Sequence, residues 1–321
     1  MGLAAEAFQV RYRSIGVYLL IAVLLGGIYL FELRRKQSHI QEKITSTMMF
    51  KFVPSEVSSF VIDKGGVKII ATKAKENGTS SWKIISPIRA EAEPLRVQRF
   101  LDKLSNLRWQ RKISEKPKDL EPFGLKHPAV VITVKADKAS AMLRIGSQTP
   151  LGDDVYVQRG GDKGIYTISF SDKFDIDVDL FDLRDKRLIT LAPHQIDRLT
   201  IRGKERGEWI LYKEGDRWLF RDHQQFQANT EKVQALLSRL WLMRATSIEE
   251  EDAKDLSLYG LDKPRVKIRV WGGGKVQELW IGAQAKQGED LYAKMADRSV
   301  VVTIKNWILS DIPPTPEGFR M

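Results

Sequence analysis

Asp119-Leu120-Glu121-Pro122-Phe123-Gly124-Leu125-Lys126-His127-Pro128 is answered, 136 residues later (from 119 to 255), by Asp255-Leu256-Ser257-Leu258-Tyr259-Gly260-Leu261-Asp262-Lys263-Pro264. Both read Asp-Leu-x-x-aromatic-Gly-Leu-x-x-Pro. The same spacing carries Trp82 onto Trp218, Val97 onto Val233, and Leu101 and Leu104 onto Leu237 and Leu240. It also carries Ile145-Gly146 onto Ile281-Gly282 and Tyr156 onto Tyr292. One aromatic-Gly-Leu is a weak signal, but an ordered run of matches at one spacing is an internal duplication. In each copy the stretch reads as a turn. Gly124 and Gly260 are expected to take a left-handed φ, while Phe123, Leu125, Tyr259 and Leu261 plug a core and Pro128 and Pro264 close the motif.

Working outward, Val57–Ile62 and Val67–Ala71 flank Asp63-Lys64-Gly65-Gly66, a hairpin signal. Ser81–Ile85 is a third short strand. Pro94 suits a first helical position, and Val97, Phe100, Leu101, Leu104 and Leu107 then recur at helical spacing. After the turn, 129–134, 141–145, 154–157 and 165–168 predict an antiparallel meander, with 181–188 as a bridge. The second copy repeats the plan, with strands near 196–201, 209–213 and 218–220. Its helix is capped by Asn229 or Thr230 and carries Val233, Leu236, Leu237, Leu240 and Met243 inward. Further strands follow at 266–270, 278–281, 291–293 and 300–304. The expected class is α+β: an N-terminal transmembrane helix, then two tandem repeats, each an antiparallel sheet plus one amphipathic helix.

The anchor is read from Ile15 to Phe31, where no charge occurs. At the helical rise this stretch spans roughly 25 Å, a little under the ~30 Å hydrocarbon thickness. Tyr12 and Tyr29 can sit at headgroup depth, while Arg13, Arg34, Arg35 and Lys36 form the basic residues of the membrane interface. The run is followed by Glu32-Leu33-Arg34-Arg35-Lys36 and not by a small-residue cleavage site, so the expectation is an uncleaved signal-anchor. Basic residues near the span number two before it (Arg11, Arg13) and four after it (Arg34, Arg35, Lys36, Lys43), which favours a cytoplasmic bulk. Long domains translocate largely regardless of charge, so that vote is weak.

Composition narrows the chemistry. The chain of 321 residues has no cysteine, which excludes disulfides, thiolate metal sites and a cysteine nucleophile. A net charge of +11 suggests attraction to an anionic partner, weighed against a merely lysine-rich soluble surface. Trp271-Gly272-Gly273-Gly274-Lys275 lies between two strands and lacks the second half of a phosphate loop, so it reads as a hairpin turn. His39, His127, His194 and His223 are scattered without metal-ligand spacing. Glu249-Glu250-Glu251-Asp252 and the set Asp172, Asp175, Asp177, Asp179 could hold a cation but read better as surface charge. Trp82 and Trp218 read as core residues ahead of glycan-stacking platforms. No aromatic-interleaved basic stripe is evident along the chain, and nucleic-acid binding is not expected. No catalytic residue, cofactor or metal is assigned.

Taken together, Tyr29-Leu30-Phe31-Glu32, Trp82-Lys83-Ile84, Asp119-Leu120 through Phe123-Gly124-Leu125 and Pro128, Leu143-Arg144-Ile145-Gly146, Val155-Tyr156-Val157 and Leu183-Arg184-Asp185-Lys186 resemble the bacterial domain-of-unknown-function family 4340. The resemblance covers nearly the whole chain past Lys51. It implies a single-pass protein of the bacterial inner membrane with its bulk extracytoplasmic, found beside ABC transporters of the gliding-motility and envelope-export kind. It carries over no established enzymatic activity and no binding residue. The expected function is a non-enzymatic accessory or scaffold subunit contacting the transporter's membrane subunits. The alternative is an anchored receptor for an anionic glycan or lipid. The expected organisation is a tail (1–14), a transmembrane helix (15–31), a juxtamembrane linker (32–52), a first repeat (53–188), a second repeat (189–309) and a Pro-rich tail (310–321), which should be extended and exposed. The second copy is expected to end before any counterpart of Leu183-Arg184-Asp185-Lys186.

Overall fold

The structure, a computed structural model, describes residues 25–27, 29–32, 34–35, 46–76, 78–137, 139–204, 207–221, 226–286 and 288–320. Two compact units are formed, Met1–Leu183 and Arg184–Met321.

In the first unit the strands are β1 (Val57–Lys64), β2 (Val67–Glu76), β3 (Thr79–Ser86) and the two-residue β4 (Ala90–Glu91). Helix α1 (Pro94–Ser105) follows, then β5 (Arg111–Ser114), β6 (Val130–Ala136), β7 (Ser140–Gln148), β8 (Asp154–Arg159) and β9 (Ile165–Ser169). Two short helices, α2 (Phe170–Ile176) and α3 (Leu180–Leu183), end the unit. All nine strands form one antiparallel sheet in the order β4-β3-β2-β1-β6-β7-β8-β9-β5. Alternation decides its inner face: Phe60 and Ile62 on β1 and Val130, Ile132 and Val134 on β6 are buried, with outward residues between them. Against that face α1 lays Val97, Phe100, Leu101 and Leu104, the stripe read from its 3.6-residue period. Phe60 ties the layers together, with its ring centroid 5.1 Å from Phe100 and 5.4 Å from Trp82.

The second unit repeats this with β10 (Ile196–Gly203), β11 (Gly207–Glu214), β12 (Arg217–Phe220), β13 (Gln227–Ala228) and helix α4 (Thr230–Leu242). Then come β14 (Ser247–Glu250), β15 (Val266–Gly272), β16 (Lys275–Gln284), β17 (Leu291–Met295), β18 (Val301–Ile304) and α5 (Trp307–Asp311). The order β13-β12-β11-β10-β15-β16-β17-β18-β14 matches the first sheet strand for strand. Asn229 is the cap of α4, its side chain accepting a hydrogen bond from the Lys232 N–H. Gly273 and Gly274 both have positive φ and close the β15–β16 hairpin.

Three expectations need correction. First, the tail is not extended and exposed. Pro316 opens a turn of 3-10 helix running to Phe319, whose side chain is 1% exposed and packs on Trp209 and Phe220. A proline string suppresses helix interiors, yet proline is well suited to a first helical position, and the aromatic behind it supplies the burial. Second, the second copy does contain a counterpart of Leu183-Arg184. The Glu93 N–H donates to the Leu183 carbonyl at 2.8 Å, and Asn229, which answers to Glu93, donates to the Phe319 carbonyl at 2.6 Å.

Third, each unit starts upstream of its expected boundary. Met49 and Phe50 lie in the first core, and Leu188 and Ile189 hold the same place in the second. The Trp109 N–H donates to the Thr47 carbonyl, and that of Ala245 to Lys186. Phe60 answers to Leu199, 139 residues on, whereas Trp82 answers to Trp218, 136 on. Hairpin loops absorb that difference freely, so a search at one fixed spacing stops at Trp82.

The expected transmembrane stretch 15–31 lies largely outside the described residues, as do Arg13 and Lys36. Residues 25–27, 29–32 and 34–35 are helical, and Leu25, Tyr29, Leu30 and Phe31 are each 61–67% exposed. Among the described residues no helix is long and apolar enough to cross a membrane.

Candidate functional site

The duplicated motif is a lock on the sheet. Asp119 and Asp255 accept hydrogen bonds through Oδ1 from the backbone N–H two residues on, at 3.0 and 2.9 Å, opening a 3-10 turn. The turn ends on Gly124 (φ 65) and Gly260 (φ 62). The Gly124 N–H reaches the Glu121 carbonyl and that of Leu125 the Leu120 carbonyl; Gly260 and Leu261 reach Ser257 and Leu256 likewise. This is a Schellman-type ending, which requires the left-handed residue that glycine supplies without Cβ strain. Leu125 (2% exposed) and Leu261 (0%) are driven into the unit. Phe123 and Tyr259 stand edge-on to Tyr156 of β8 and Tyr292 of β17, with both pairs 5.0 Å between centroids. Pro128 and Pro264, half-buried, lead directly into β6 and β15.

The lock explains the paired glycines on the strands as well. A Cβ on Gly146 would collide with the Phe123 carbonyl oxygen, and one on Gly282 with that of Tyr259. Both glycines sit at register shifts, between Ile145 and Gln148 and between Ile281 and Gln284, so the bulge brings the strand backbone up to the turn. The motif residues therefore converge to pack and present no set of reactive groups. The copies differ at the aromatic position. The Tyr259 hydroxyl donates to Glu250 at 2.6 Å, and that hydrogen bond pushes its pKa up to about 12, whereas Phe123 has no hydroxyl.

The acidic set in the first unit is used locally. Asp172 accepts from the Ser169 hydroxyl, Asp175 pairs with Lys103 at 2.5 Å, Asp177 pairs with Lys64 at 2.5 Å, and Asp179 accepts from the Asp182 N–H. Among the described residues no group of three His, Asp or Glu side chains is arranged to hold a metal ion.

A second constellation, which sequence reading missed, lies on the outward face of the second sheet. Here β15 alternates Lys267, Arg269 and Trp271 outward, and antiparallel register sets Arg198 beside Trp271, Thr200 beside Arg269 and Arg202 beside Lys267. On the other side β16 places Glu278 beside Arg269 and Trp280 beside Lys267, and β17 adds Lys294 beside Trp280. The guanidinium carbons of Arg198 and Arg269 lie 5.3 and 5.6 Å from the Trp271 ring centroid. The ammonium groups of Lys267 and Lys294 lie 4.2 and 4.7 Å from that of Trp280. These separations are within cation–π range. A cleft of about 280 Å³ opens over this face, with Thr200, Ile210 and Arg221 among its lining. Burial pushes Glu278 up, but hydrogen bonds from Trp280 Nε1 and Arg269 Nε outweigh it and hold the carboxyl below its usual range. Burial lowers the pKa of Lys294. Among the described residues no carboxylate forms an ion pair with Arg198, Arg202, Arg221 or Lys267. The signal in the sequence was the period-2 run Lys267-x-Arg269-x-Trp271; its partners on β10 and β16 become visible only through register.

Fold and site define a tandemly duplicated α+β protein, with two nine-stranded units locked by the same turn and bearing different outer faces. The chain belongs to the family described as Domain of unknown function (DUF4340), which matches residues 82–227 and again 218–321. Both matches open on the equivalent tryptophans, Trp82 and Trp218. The first runs past its own unit into β12 and β13, so the sequence repeat and the compact unit are offset from each other. No curated protein and no solved structure matches this chain.

Proposed function

We propose that this chain is a non-enzymatic, membrane-anchored envelope protein, acting as an accessory or scaffold subunit of an ABC transporter complex with both folded units on the extracytoplasmic side. One observation carries binding over chemistry: the residues that the two copies share are consumed in packing, while those that differ stand on open sheet faces. The exposed apolar helix residues Leu25, Tyr29, Leu30 and Phe31 support an anchor, since such a surface is stable under lipid cover. The transporter as partner rests on the family resemblance. A second reading, an anchored receptor for an anionic glycan or lipid, is favoured by the cationic face of the second unit.

Co-purification of the full chain in mild detergent tests the first reading. A transporter membrane subunit recovered in stoichiometric amount is the expected result, and its absence overturns the accessory role. For topology, an alkaline phosphatase fused after Met321 should be active and a cytoplasm-dependent fluorescent fusion dark. The reverse pattern would put both units inside, in line with the basic cluster Arg34-Arg35-Lys36.

A further inference from the structure

We propose that the outward face of the second unit is a binding trough for an acidic polysaccharide, a sugar chain bearing carboxylates; this rests on the receptor reading above. Three features point there. Two of its cations are held in place without a carboxylate partner: Arg198 and Lys267 lie against Trp271 and Trp280 and form no ion pair among the described residues, whereas Arg269 is paired with Glu278. Side chains already ordered in this way lose less entropy when a ligand binds. The second feature is mixed chemistry. Exposed Glu208 stands among the cations, with Thr200 beside it in the lining, so the trough offers acceptors for hydroxyl groups beside donors for anions. A polyphosphate, which carries no hydroxyl groups along its chain, would make no use of those acceptors.

The third feature is shape. The 280 Å³ cleft shares Arg202, Glu208 and Lys267 with a wider hollow that continues to Lys204 and Lys263. An elongated, concave site suits a narrow chain better than a flat membrane. Its charge spacing is set by the sheet, about 4.8 Å between strands and about 6.6 Å between alternate residues, so successive charged sugars can each meet a cation.

The test uses the full chain in detergent micelles, with polygalacturonate as probe, an uncharged dextran as control and phosphatidylglycerol vesicles as competitor. Expected are salt-sensitive binding of polygalacturonate, none of dextran, and at least ~10-fold loss in an R198Q/R202Q/K267Q variant. The first-unit variant R144Q should bind as the parent does. All three substituted positions in the second unit face outward, so an unchanged thermal midpoint separates loss of binding from loss of fold. Absence of polygalacturonate binding, binding indifferent to the triple variant, or displacement by vesicles in preference to sugar would each overturn the proposal. Glycan binding lost in the triple variant, without a transporter partner in the co-purification, would defeat the accessory reading and leave this one standing.

Discussion

The two outer sheet faces occupy equivalent positions and share almost no chemistry. Where the second unit has Arg198, Thr200 and Arg202 on β10, the first has Ser59, Val61 and Asp63 on β1. Lys267, Arg269 and Trp271 are answered by Val131, Thr133 and Lys135, and Glu278 and Trp280 by Met142 and Arg144. The inner faces stay apolar throughout, with Phe60 answered by Leu199, Ile132 by Ile268 and Leu143 by Leu279. A strand's two faces are independent because successive side chains point opposite ways. One face can therefore be held to the core while the other takes on a new surface, and the register that fixes the first also arrays the second.

That comparison can be broken at its shared half. Trp82→Ala and Trp218→Ala should each cost about 3–5 kcal/mol, because both rings are core residues, at 8% and 0% exposure. Hydrogen exchange read unit by unit should place each loss in the unit that carries the substitution. A loss below about 1 kcal/mol for either would return that tryptophan to the role of a surface platform.

The lock comes next. Gly146→Ala and Gly282→Ala should destabilise by about 1–3 kcal/mol, since the added methyl meets a backbone carbonyl that cannot give way without undocking the turn. Gly124→Ala and Gly260→Ala should cost on the order of 1 kcal/mol or more through their positive φ. Denaturation midpoints that do not move for the strand glycines would mean that the turn is not seated on the bulge.

A smaller effect separates the two locks. Tyr259 has its pKa raised by its hydrogen bond to Glu250, so the neutral form is the one the fold favours. Its contribution is fully present below the ordinary tyrosine value near 10 and is lost as pH rises toward about 12. An ultraviolet titration should lose one late-ionising tyrosine in Y259F, while Tyr166 of the first unit, raised chiefly by burial, still ionises late in that variant. The smallest effect is expected at the cationic face, where R198Q/R202Q/K267Q should shift stability by under about 0.5 kcal/mol. A larger loss would give these side chains a role in the fold.

Much of the frame was legible. The 3.6-residue stripe from Val97 to Leu104 and its twin from Val233 to Leu240 emerged as α1 and α4, and the meander emerged as β6 to β9. The edge strands β5 and β14 did not: Arg111-Lys112-Ile113-Ser114 and Ser247-Ile248-Glu249-Glu250 are short and charged, as edge strands tend to be, and carry no alternation to read. The counterpart of Leu183 at Phe319 was hidden by the prolines before it and by the loss of similarity between leucine and phenylalanine.

By itself the sequence determined the duplication, the helix faces, the strand alternation and the need for glycine at 124 and 260, because each follows from local periodicity or backbone sterics. Only the tertiary structure decided why Gly146 and Gly282 are glycines and which cations share a surface. Those answers depend on register and on a loop crossing to a strand from which it is separated by some twenty residues, contacts that leave no periodic trace along the chain. Arg198 and Trp271 are far apart in sequence and become neighbours because β10 pairs with β15.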